Sequence, residues 1–323
     1  MWLNTFGERL ALLVGVDINK DTKAWEAFSP KLKVEIASQA DPDLWVAVLT
    51  GSKNAVKGVG FLLGAALLAA LGFDYAVVAM AVVLALILAA IVVAMPPGLP
   101  RGRKGAKFSE VFSKSANVNW LSAARVFLFG ARDVWFVVGI PIYFYAVLSD
   151  GTHAGDRAAF FLVGTFMALW IILYGAVQAA APRILKVQSR PESDLIGAAQ
   201  HWALALLAVP ALLSAAVLID PTPSLWLSTV LVVGLLAFGA IFAVNSSLHS
   251  YLILAFTQAE RVTMDVGFYY MANAGGRLIG TLLSGLSYQM GGLPAVMITA
   301  TVMVGLSALA AGRLAPDATL TSP

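Results

Sequence analysis

The stretch YAVVAMAVVLALILAAIVVAM, residues 75–95, carries no charged side chain. About 20 apolar residues in an α-helix rise some 30 Å, the thickness of the hydrocarbon core of a bilayer. A helix satisfies its own backbone donors and acceptors, which lipid cannot do, so the stretch reads as a transmembrane span. Working outward, seven more segments meet the same length and character: residues 44–71, 120–149, 158–181, 195–219, 225–256, 265–290 and 295–314. The whole composition agrees with them. Of 323 residues, 59% are hydrophobic and 12% charged, about half the charge of a soluble domain. The mean hydropathy is +0.83. The expected fold is an all-α membrane protein, a helical bundle of about eight transmembrane helices.

Residues 1–43 differ in kind. Their longest apolar run, residues 10–16, cannot span, and seven acids and five Lys or Arg are spread among them. They read as a solvated, partly helical lead. A basic start and a small-residue cleavage site are both poorly represented, so a signal peptide is not expected.

Residues 96–119, PPGLPRGRKGAKFSEVFSKSANVN, form a long polar connection that separates two spans from six. It carries Arg101, Arg103, Lys104, Lys107 and Lys114, and the next loop on that side carries Arg183, Lys186 and Arg190. The opposite loops, at Asp74 and at residues 150–157, 220–224 and 291–294, offer Arg157 alone. The excess of Lys and Arg on one side places those basic loops, both termini and the 257–264 turn in the cytoplasm. Residues 315–323 are then a short cytoplasmic tail.

Several function classes are excluded by what is missing. The net charge of +3 is too small for a nucleic-acid surface, and the absence of Cys removes disulfides, thiolate metal sites and cysteine nucleophiles. No HExxH or GxSxG is present. GGRLIG lies inside a span without a preceding strand, so it is not a dinucleotide fingerprint. Neither a catalytic reaction nor a cofactor is expected.

Ionisable residues within spans cost several kcal/mol unless they face a bundle interior or a wet cavity. The basic ones are Lys53, Lys57, Arg125, Arg132 and Arg277, against Asp133 and, at a helix start, Asp265. Such an excess suits a cavity that receives an anion. Lys53 with Lys57, and Arg125 with Arg132, recur at helical spacing on one face; Asp265, Tyr269, Asn273 and Arg277 form an i, i+4 stripe. Asn245, Ser246 and His249 make a shorter ladder. Each has a plainer reading: Lys53 and Lys57 as snorkelling side chains, Arg132 with Asp133 as one half of interhelical structural pairs, Asn245 as a packing residue, His249 as a structural histidine. Arg277 is the strongest anion-site candidate, being about three turns into its span. Asp133, Asp265 and His249 are the candidates for ion coupling. Gly276 and Gly280 form a GxxxG pair suited to close helix contact.

The strings LTGSKNAVKGVGFLLGAAL, FSKSANVNWLSAARVFLFGARDVWFVVGIPIY, FAVNSSLHSYLI and MDVGFYYMANAGGRLIGTLLSGLSYQMGGL resemble the organoarsenical efflux permeases, a branch of the major facilitator superfamily. The resemblance runs from about residue 45 to residue 293. It implies a two-half transporter in the bacterial inner membrane, represented here by the last two spans of the first half and the six of the second, with four earlier spans missing. It further implies export of an anionic organoarsenical, 1-arseno-3-phosphoglycerate, made by a glyceraldehyde-3-phosphate dehydrogenase that uses arsenate, and hence arsenate resistance. Its alternatives are a nonfunctional or assembly-dependent fragment and an exporter of another organic phosphate anion.

Overall fold

The computed structural model of the chain describes residues 42–94, 113–187, 189–257 and 262–316, with backbone only for residues 42–55, 192, 262 and 263. The lead before residue 42 and the basic residues from Arg101 to Lys107 therefore lie outside the described part, as does the tail beyond residue 316. The described elements are helices. In order they are α1 (Pro42–Ala94), α2 (Ala116–Val134), a π-helical turn (Trp135–Gly139), α3 (Ile140–Leu148), α4 (His153–Leu185), α5 (Glu192–Ile219), α6 (Leu225–Ala255) and α7 (Val262–Ala311). Among the described residues six helices are long and apolar enough to cross a membrane, α2 to α3 counting as one. The chain is a multi-pass membrane protein.

Six long helices cover the eight expected spans, because α1 and α7 each take in two of them on either side of a glycine break. Within α1, Gly72 has φ 75° and ψ 175°. A Cβ disfavours that left-handed φ, and glycine adopts it freely, so the helix is interrupted where the span 44–71 ends. Within α7, Gly291 and Gly292 leave helical geometry, Gly292 with φ 61°, and Pro294 follows. Ser287 Oγ and Thr299 Oγ1 are nevertheless 2.9 Å apart. In a straight helix those twelve residues would span about 18 Å. The two arms of α7 therefore fold back on each other.

Further shifts are local. α2 begins four residues before the expected 120, because Ser115 caps it by accepting from the Val118 N–H at 3.4 Å. Asn117 in that first turn donates to the Ala315 carbonyl and accepts from its N–H, tying the start of α2 to the end of α7. Arg157, read as a loop residue, belongs to the first turns of α4, whose cap is Thr152. The π turn has its origin in Pro141. Proline lacks an N–H and its ring crowds the carbonyl four residues back, at Val137. The wider turn absorbs that mismatch, and the Val138 N–H donates to Ser284 Oγ on α7 at 3.2 Å.

Small residues set the packing. A Cβ on Gly276 or Gly280 would overlap the carbonyl oxygens of Val126 and Gly130, so the first arm of α7 lies with its backbone against α2. On its return, the second arm brings Ser307 Oγ to donate to the Ala124 carbonyl at 2.9 Å. α2 is thus flanked by both arms. α4 is pinned to α6 by Trp170, whose Nε1–H donates to the Leu235 carbonyl at 2.7 Å. Gly164 of α4 meets Ala65 of α1, and Gly58 of α1 meets Ile172. The most apolar window of α1 is only 6% buried, against 61% for α2 to α3, which is the signature of a peripheral helix with an apolar outer face.

Candidate functional site

A cavity of about 990 Å³ opens between α1, α2 with its π turn and α3, α4 and the first arm of α7. Four charged residues line it: Lys57 from α1, Arg132 and Asp133 from α2, and Arg277 from α7. Their meeting follows from the glycines. Gly276 lets the α7 backbone touch α2, so that Arg277, next in sequence, falls within reach of the turn holding Asp133.

Asp133 is the pivot. Its side chain is 3% exposed; Oδ1 accepts from Arg132 Nε at 2.7 Å and Oδ2 from Arg277 Nε at 3.0 Å. Two charge-assisted bonds compensate a carboxylate that would be costly to bury alone. Arg132, 14% exposed, also stacks over the rings of Phe129 and Phe242. Arg277 is 57% exposed at its side chain, donates from Nε to Asp133 and lines the cavity. Lys57 adds a third positive charge. Among the described residues the lining therefore has three cations and one anion.

Other candidates gather elsewhere. Arg125, 4% exposed, donates from Nη1 to the Ser246 carbonyl at 2.8 Å and sits over the rings of Phe129 and Tyr269 at 4.1 and 4.8 Å. With its amide oxygen turned inward, Asn273 accepts from Arg125 Nε at 3.1 Å and Nη2 at 3.3 Å. Tyr269 is fully buried, its hydroxyl 3.4 Å from Ser250 Oγ. Asn245 and His249 are likewise 0% exposed, and their side-chain nitrogens and oxygen find no protein partner among the described residues. Buried polar atoms of that kind ordinarily hold internal water. Asp265 is buried near the start of α7 and does not line the cavity. Lys53 lies on α1, where only the backbone is described.

The stripe of the sequence reading is thus divided between two places. Arg277 meets Asp133 and the cavity, whereas Asn273 and Tyr269, one and two turns away, close around Arg125 inside the α2–α6–α7 contact. An i, i+4 spacing assigns residues to one face; it does not say at which level of the bundle that face opens. Conversely, Lys57, Arg132, Asp133 and Arg277, drawn from three distant segments, come together.

The cavity's aromatic wall was not expected from the sequence. Phe61, Phe136, Tyr145, Phe160, Trp170 and Tyr174 line it. Aromatic residues are ordinary in an apolar span, and only Trp170 and Tyr174, at i, i+4, gave any hint of a shared face. Their rings stack at 5.7 Å and 3°. No family model matches the sequence, and no curated protein or solved structure is detectably similar to it. The resemblance to the organoarsenical permeases accordingly rests on the quoted strings themselves.

Proposed function

We propose that this chain is a membrane exporter of an anionic organoarsenical that confers arsenate resistance, with 1-arseno-3-phosphoglycerate as the cargo the resemblance implies. The observation that carries the reading is the cavity's charge: among the described lining residues are Lys57, Arg132 and Arg277 with a single carboxylate, Asp133, and the Arg277 side chain is 57% exposed. Guanidinium groups bind phosphate and arsenate oxygens through paired, charge-assisted hydrogen bonds, and the absence of Cys argues against a soft thiolate site for trivalent arsenic. In this reading the protein is not an enzyme, needs no cofactor and works beside a glyceraldehyde-3-phosphate dehydrogenase that makes its cargo. On the same reading it lies in a bacterial inner membrane as eight spans, with α1 counted as two at the Gly72 break and α7 as two at Gly291–Gly292, and with both termini cytoplasmic.

Asp133 is the favoured coupling residue, because an incoming oxyanion and the Asp133 carboxylate compete for the same guanidinium groups. Tolerance of arsenate in an arsenic-sensitive host tests the function. Resistance should require both this chain and the dehydrogenase; equal tolerance without the chain contradicts it. The exposed apolar window of α1 favours one second reading, an assembly-dependent subunit whose α1 is covered by further helices. In that case the chain alone gives no resistance and regains it when the covering partner is supplied.

A further inference from the structure

Resting on the reading of the cavity as an anion site, we infer that, besides the polar cargo proposed above, it takes a second class of ligand, amphiphilic organic oxyanions with a ring-sized apolar body, and holds them more tightly than the same head group without the ring. Only four of the 23 described lining residues are charged, and three of them, Arg132, Asp133 and Arg277, are joined in one ion-paired cluster. Phe136 follows Asp133 by about one helical turn and opens a continuous aromatic wall. Phe136 meets Phe61 edge-on at 5.5 Å and Trp170 at 5.2 Å, and Trp170 stacks on Tyr174. Phe61 and Phe160, both lining the cavity, are 40% and 37% exposed, so each keeps surface that the protein does not cover, although Phe160 also stacks on Tyr145. A volume of about 990 Å³ is at the upper end of what encloses a drug-sized ligand. A bare phosphate on Arg277 would leave the wall wetted. A ligand with its oxyanion on Arg277 and a ring against Phe61 and Phe160 covers both.

Two phosphonates separate the parts, because phenylphosphonate and methylphosphonate share a head group and differ in the apolar body. Calorimetric titration of the purified full-length chain should show phenylphosphonate binding about tenfold or more tighter than methylphosphonate. In Phe61→Ala and Phe160→Ala the difference should shrink severalfold while methylphosphonate binding is retained, which also reports that the variants are folded. Equal affinities in the unaltered protein overturn the inference and leave the anion reading standing. Binding of neither compound, or methylphosphonate binding insensitive to Arg277→Gln, overturns the anion reading itself.

Discussion

Asp133 holds its position through two guanidinium partners on two helices, which makes its energetics measurable. Changing Arg277 to Gln leaves a nearly buried carboxylate with one partner, and changing Asp133 to Asn leaves Arg132 and Arg277 facing each other without an acid. Each single substitution should lower thermal stability in detergent, and the double variant should lose less than the sum. The expected coupling is about 0.5–3 kcal/mol, toward the lower end because Arg277 is half exposed. Strict additivity would mean that the pair contributes nothing to helix contact. Asp133→Asn should also tighten methylphosphonate binding, since the internal competitor is gone; weaker binding would refute the competition. Arg277 was legible in the sequence because a permanent charge three turns into a span demands a partner. Its separation from Asn273 and Tyr269 was not legible, because that depends on where Arg125, on another helix, fills the interface.

Among the elements, the contact of α2 with α7 organises the rest, and glycine makes it possible. A side chain at Gly276 would overlap the Val126 backbone, which cannot rotate aside as a side chain can. Gly276→Val should therefore destabilise the protein by at least the roughly 1–3 kcal/mol of ordinary overpacking, read as a drop in melting temperature or in the yield of folded protein. An unchanged melting temperature would deny the close approach. The GxxxG signal was readable because it reflects a property of the residue itself, and the loops at Asp74 and 291–294 were readable from the ends of the apolar runs, whereas the left-handed glycines that make the breaks show only in the backbone. The π turn was not, since an α-helix and a π-helix share the same apolar pattern over five residues and only Pro141 marks the place. Ser284→Ala, removing the acceptor of the Val138 N–H, should cost about 1 kcal/mol. No change in stability would show that water serves that N–H equally well.

For the molecule as a whole, lipid made the span content readable while loop charge set the expected orientation. A cytoplasmic reporter fused within residues 96–119 should be active and one at residues 220–224 silent; the reverse would invert the proposed topology. The cavity was only half readable. Its cations were visible as charges out of place in apolar spans, whereas its aromatic wall is made of residues that lipid and protein interiors accept equally. In the proposed function, an exported anion binds at the Arg277–Asp133–Arg132 cluster of the cavity that Lys57 also lines. Uptake by everted membrane vesicles is the measurement, with 1-arseno-3-phosphoglycerate generated in place by the dehydrogenase from arsenate and glyceraldehyde 3-phosphate, NAD+ taking the hydride. Vesicles with the unaltered chain should accumulate arsenic. Those with Arg277→Gln at equal abundance should do so about ten- to a hundredfold less efficiently at low substrate, the worth of one charged hydrogen bond, and Arg277→Lys should recover part. Equal uptake by the Gln variant would contradict the claim.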